Sequence, residues 1–264
     1  MENKTYSLDS KVEALREARQ RAGSQVVTLF DDRLDQSWIF HDNALEGIVI
    51  SYHELKAAID KRIISDVTLI PTYEEIKNHK LGIEWVRTTA REWASEKLDK
   101  KQKRKNLITL DTFKHVHGIL APDEKAKGSP FRKENPLHRT YYHEIAQPDK
   151  ILPRLKKLVE WLDEEETMHL HPVERAARLH FRFMSIFPWV KNSGKVARLV
   201  MNLMLLRDGF PPVIIHSIER QRYYDGLRTE AGSVPLIYES LENGIDTALR
   251  FFSEYAEARR SRVA

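Results

Sequence analysis

The chain of 264 residues has room for one or two domains, and its 41% hydrophobic and 31% charged residues are those of an ordinary globular protein. A net charge of +4 does not by itself point to nucleic acid, and no stretch approaches the ~20 apolar residues of a membrane helix. Zero cysteines exclude disulfides and thiol chemistry, and no apolar run follows Met1, so no signal peptide is expected and the expected location is cytoplasmic.

Taken in chain order, the patterns are helical. Residues 9–22 are charged and rich in Ala and Leu, and residues 33–47 carry Leu34, Trp38, Ile39 and Leu45 at near-helical spacing. Thr72 with Glu75 three residues later reads as a capping box opening a helix that reaches Leu98. The cationic run Lys97–Lys105 reads as a solvated helix end or loop. Asp111 before Thr112 and Phe113 opens a short helix. Residues 150–166 present Leu152, Leu155, Leu158 and Leu162 as one stripe. Pro172 sits in the first turn of a helix ending at Ile186, and the apolar segment Lys195–Arg207 stops before Gly209, Pro211 and Pro212. Residues 217–231 and 234–259 complete the set. The exception is 128–147, turn-rich and β-prone, which reads as a loop and short hairpin.

Residues 186–198, from Ile186 through Phe187-Pro188-Trp189-Val190-Lys191-Asn192-Ser193-Gly194-Lys195 to Arg198, resemble the active-site loop of Fic-domain proteins, H-P-F-x-[D/E]-G-N-G-R-x-x-R. Pro188, Gly194 and Arg198 match; Trp189 and Lys195 are similar replacements; Phe187, Lys191, Asn192 and Ser193 depart. The likeness runs from about 33 to 255. His171–Phe183 is similar to the helix before the loop, Leu199–Pro212 to the helix after it and Tyr223–Leu227 to a downstream helix. Tyr73–His79 fits an upstream helix, and His41-Asp42-Asn43-Ala44-Leu45-Glu46-Gly47 resembles the inhibitory motif [S/T]-x-x-x-E-[G/N]. The resemblance implies an all-α bundle with a short β-hairpin flap (Thr140, Tyr141 and Tyr142). It also implies an N-terminal helical extension over 1–105 and a Fic domain over 106–264.

Fic enzymes transfer AMP from ATP to protein hydroxyls. The motif histidine is the general base, the acid holds magnesium, and the glycine-rich helix start with its arginines holds the phosphates. Phe187 accepts no proton, and loss of a general base alone costs roughly 10²–10⁴-fold. Lys191 repels magnesium, Asn192 adds a Cβ where glycine stands, Ser193 is shorter than asparagine, and Lys195 loses the bidentate fork. The usual transfer is therefore expected to be lost, with no metal site.

What replaces it stays open. Lys191, Asn192, Ser193, Gly194, Lys195 and Arg198 form a candidate metal-independent site for ATP or another phosphate ligand, with Tyr223 and Tyr224 on the nucleobase side. Against this stands a relic loop in which Phe187 and Trp189 are ordinary core aromatics. The family likeness implies that Glu46 pairs with Arg198. That pair is either a surviving brake, which Glu46→Gly would release, or a dock for the extension. Functionally, the chain reads as a catalytically deficient binding or regulatory module. A rewired nucleotidyl- or phosphotransferase, or a scaffold whose flap takes a target-protein segment, are the rivals. His115/His117 and His169/His171 are two apart, not the four of helical zinc ligands, and His180 is read as structural. Nucleic-acid and membrane partners are not expected.

Overall fold

The computed structural model describes residues 2–60, 68, 70–95, 107–128, 130–136 and 143–263. The cationic run 97–105 and the flap residues Thr140, Tyr141 and Tyr142 lie outside the described residues.

Twelve helices are described: α1 (Glu2–Arg21), α2 (Ser24–Leu45), α3 (Tyr52–Ile59), α4 (Ile70–Ser95), α5 (Leu110–Leu120), α6 (Pro122–Lys125), α7 (Ile151–Asp163), α8 (Glu165–His169), α9 (Pro172–Ile186), α10 (Ser193–Arg207), α11 (Arg220–Gly226) and α12 (Glu230–Val263). No strand occurs among the described residues, so the all-α class holds; the described ends of the 128–147 segment run as loop.

The centre of the bundle is α10. Its apolar residues go all the way round, and every residue from Ser193 to Leu205 is buried. Helices α4, α5 and α9 pack around it, α12 and α7 back α9, and α1 lies on α12. At Gly82, α4 lies close against α10: a Cβ there would stand 3.1 Å from Leu199 Cδ1. The apolar stripes of α7 (Ile151, Leu155, Leu158, Leu162) and α9 (Val173, Ala176, Ala177, Phe183, Met184) are buried in the same core. Residues from Leu8 to Phe252 share one hydrophobic core, to which the segment upstream of 105 contributes.

Several boundaries differ from expectation. Helix α1 starts at Glu2 and α2 at Ser24, both earlier than their apolar patterns. Ser51 and Glu54 form a full capping box for α3, a helix too short to carry a clear period. Thr72 lies inside α4, which opens at Ile70 with Pro71 behind it, so the box predicted there does not cap. Thr109, with Thr112, caps α5, and Asp111 sits in its first turn. Gly209, at φ 87°, ends α10 as expected.

Candidate functional site

The loop between α9 and α10 is bent by two non-glycine residues in the left-handed region, Phe187 (φ 49°) and Asn192 (φ 65°). Asparagine tolerates this conformation and a bulky aromatic does not, so Phe187 stays there only because its surroundings hold it. Arg132 is the main fastener. Its backbone N–H donates to Pro188 O at 3.0 Å. Its buried guanidinium donates to Phe187 O at 2.7 Å, to Ile186 O at 3.3 Å and to Ala146 O. The Ser193 hydroxyl closes the loop from the other side, accepting from Trp189 N at 2.8 Å and donating to Trp189 O at 2.7 Å. That use needs a side chain of serine length.

Both loop aromatics are core residues. Phe187 and Trp189 are each 1% exposed. Trp189 stacks on His117 with centroids 4.1 Å apart, and Phe187 meets the edge of His143 at 6.5 Å. Lys191, in contrast, is exposed at the lip of the loop. The three cations that the sequence suggested as a cluster are therefore divided into two buried groups and one at the surface.

The two buried cations are each met by α2. Lys195 Nζ donates to Asn43 Oδ1 at 2.7 Å. Burial lowers the Lys195 ammonium pKa, with Glu75, Glu46 and Asp42 opposing that shift. Arg198 Nε donates to Asp42 Oδ1 at 2.7 Å, its Nη2 to Glu46 Oε1 at 3.0 Å, and its Nη1 to the Tyr223 hydroxyl at 3.3 Å. The second oxygen of Asp42 faces His79 Nε2 at 3.2 Å. Burial works against ionisation of Asp42, but Arg198 and His79 outweigh it and hold the carboxyl below the usual carboxylate range. Burial likewise opposes the charge of Arg198, yet Asp42, Tyr223 and Glu46 keep its pKa well above the ordinary value.

Glu46 lies directly on the start of α10. A Cβ on Gly194 would come within 2.1 Å of Glu46 Oε1, so this helix start holds a carboxylate from its own chain. Gly47 follows at φ 84° and turns the chain away. Tyr223 and Tyr224 are buried: the Tyr223 hydroxyl also meets His180 Nε2 at 3.0 Å, and the Tyr224 hydroxyl donates to Leu45 O at 3.0 Å, beside Arg220 Nε at 3.1 Å. Both tyrosines thus tie α2 and Arg198 to α11. Among the described residues no group of three or more His, Cys, Asp or Glu side chains could hold a metal ion, and no helix is long and apolar enough to cross a membrane.

Two predictions arise here. Gly194→Ala is expected to push the Glu46 carboxylate off the helix start. Arg198 keeps Asp42 and alanine favours the helix, so urea denaturation should show a net change within about 1 kcal/mol. The second concerns pH. Burial lowers the pKa of His117 to about 4 and that of His180 to about 3, with Arg198 adding to the shift at His180. Both folded-state values lie below the unfolded one, so this stability is complete above pH ~6.5 and lost as pH falls through the folded values. The loss, on the order of several kcal/mol by pH ~3, is checked by urea midpoints across that range; His117→Phe should flatten part of the slope.

Sequence reasoning missed Asn43, His79, His117 and Arg132 as site residues, and took Asp42 as a departure from a motif. One signal was present: Asp35, Asp42 and Glu46 stand seven and four apart, on one face of α2.

Residues 107–205 match the family model described as the Fic/DOC family, and the chain carries a Fic domain. It is 28% identical over 230 residues to a protein adenylyltransferase Fic of Drosophila virilis and 26% to that of Drosophila melanogaster, covering 86% of this chain in each case. It spans less than half the length of these curated relatives, 44% and 43%. Its fold is shared with a Fic-domain-containing signaling protein from Bacteroides thetaiotaomicron at a TM-score of 0.76 and 22% identity, covering 95% of this chain and 98% of that one. It is shared too with Fic-1 (residues 134–508) of C. elegans, at a TM-score of 0.70 and 22% identity, over 92% and 70%.

Proposed function

We propose that this chain is a catalytically deficient Fic module, cytoplasmic, that has given up AMP transfer and serves as a binding or regulatory element. The observation that carries this reading is Phe187. It stands where the family likeness calls for the general base, is 1% exposed, and is fixed by Arg132 through its carbonyl oxygen. A benzyl side chain takes no proton from an attacking hydroxyl. Lys191, at the position of the metal-binding acid, adds a positive charge where magnesium would approach.

The remaining phosphate-holding groups support a ligand role rather than a chemical one. Lys195, Arg198 and the start of α10 still form an anion cradle, neutralised by Asp42 and Glu46 of the same chain. A nucleotide or other phosphate ligand, taken without metal, competes with those carboxylates for the cradle. A partner protein that draws α2 away would open it.

The test is a pair of assays on the purified chain. Radiolabelled ATP, with and without magnesium, is expected to leave no label on the chain or on added protein. Calorimetric titration of the wild type with ATP lacking magnesium is expected to show binding weaker than millimolar while α2 is docked. Label transfer above background would refute the reading and favour a rewired transferase.

A further inference from the structure

We infer that Asp42, rather than Glu46, is the latch that holds the anion cradle shut. Loss of Glu46 alone then leaves α2 docked and Arg198 engaged. This rests on the reading of the cradle given above and adds to it which residue governs opening.

Three observations separate the two carboxylates. The first is burial: the Asp42 side chain is 1% exposed and that of Glu46 10%. The second is geometry. Asp42 takes Arg198 Nε at 2.7 Å, its own carbonyl lies 3.4 Å from Arg198 Nη2, and its other oxygen faces His79 of α4. One residue thus joins α2 to both α10 and α4.

The third is position along α2. Asp42 lies within the helix, between Ile39 and Leu45, both 0% exposed. Asn43 beside it holds Lys195, and Asp35 one heptad earlier holds Arg87 of α4 at 2.6 Å. Glu46 is the C-cap residue, followed by Gly47 at φ 84° and by Val49, which is 94% exposed. A helix end frays at small cost, whereas freeing Asp42 requires the buried turn to unpack.

The experiment measures amide hydrogen exchange over residues 38–47 in the wild type, Glu46→Gly and Asp42→Asn, with ATP titration of each and of the double variant. Asp42→Asn is expected to speed exchange on the order of 100-fold, because it strips a buried guanidinium of its partner. Glu46→Gly is expected to change it by less than about fivefold. Equal acceleration by the two variants, or unchanged exchange in Asp42→Asn, overturns the proposal.

Should Asp42→Asn fail to fold, Asp42→Asn/Arg198→Met removes both charges together and is expected to fold. If it too fails while Glu46→Gly folds, Asp42 is needed for folding and not as a latch, which also overturns the proposal. The ATP arm tests the underlying reading separately. Micromolar binding by Glu46→Gly/Asp42→Asn, with none by Glu46→Gly, supports both. No binding by the double variant removes the cradle reading, while the exchange data still decide which carboxylate holds α2.

Discussion

Arg198→Met is expected to destabilise the fold by about 3–5 kcal/mol, the cost of leaving a buried ion without its partner. Arg198 is 1% exposed and joins Asp42, Glu46 and Tyr223. Its removal leaves Asp42 without its guanidinium partner; burial holds the pKa of the facing His79 imidazole down, so that ring supplies little charge at neutral pH. Arg198→Lys should recover only part of the loss, because an ammonium cannot reach both carboxylates and the phenol as a guanidinium fork does. Urea denaturation at pH 7 measures this. A loss below about 1 kcal/mol would mean that the pair behaves like a surface salt bridge despite its burial.

The second large effect is on transfer chemistry. Phe187→His alone is expected to leave AMP transfer at background, since on the proposed reading Lys191 opposes magnesium, and Asp42 and Glu46 still occupy Arg198. Joining Phe187→His with Lys191→Asp, Asn192→Gly and Ser193→Asn, in an Asp42→Ser/Glu46→Gly background, restores the base, the acid, the glycine and the asparagine of the family motif, with Lys195 keeping the charge of its first arginine. Label transfer should then rise at least about 10²-fold over the wild type, the lower bound for regaining a general base. The repair has a structural cost: Ser193→Asn breaks the two hydrogen bonds that close the loop on Trp189, about 1 kcal/mol each. Assays with labelled ATP in the presence of magnesium follow the gain. Transfer restored by Phe187→His alone would show that neither Lys191 nor α2 limits the reaction.

Much of the fold was legible because its central helix is unusual. Few segments are apolar on every face, and Lys195–Arg207 followed by Gly209 and two prolines leaves little choice but a buried helix with a sharp stop. The amphipathic stripes of α7 and α9 follow the same logic. Short α3 was not legible, since eight residues hold barely two turns of pattern. Thr72 misled because a capping box is a local sequence match, and Pro71 serves the helix start equally well.

For the site, the residue types in Phe187–Arg198 carried the likeness to a Fic loop, with Phe187 and Lys191 at the positions that the likeness gives to a base and an acid, because chemistry belongs to side chains and needs no coordinates. The sequence alone thus determined the helical class, the family likeness and the absence of a proton acceptor at Phe187. Tertiary structure alone decided which charges meet. Lys191 and Lys195 are four residues apart, yet one is exposed and the other buried on Asn43, 152 positions away. Asp42, which broke the expected motif, proved to hold Arg198 and face His79, and Arg132 proved to hold the loop from 54 and 55 residues upstream. Such pairings depend on how α2, α4 and α10 pack. A charge gains its energetic weight from the burial that packing imposes, and no local pattern encodes that.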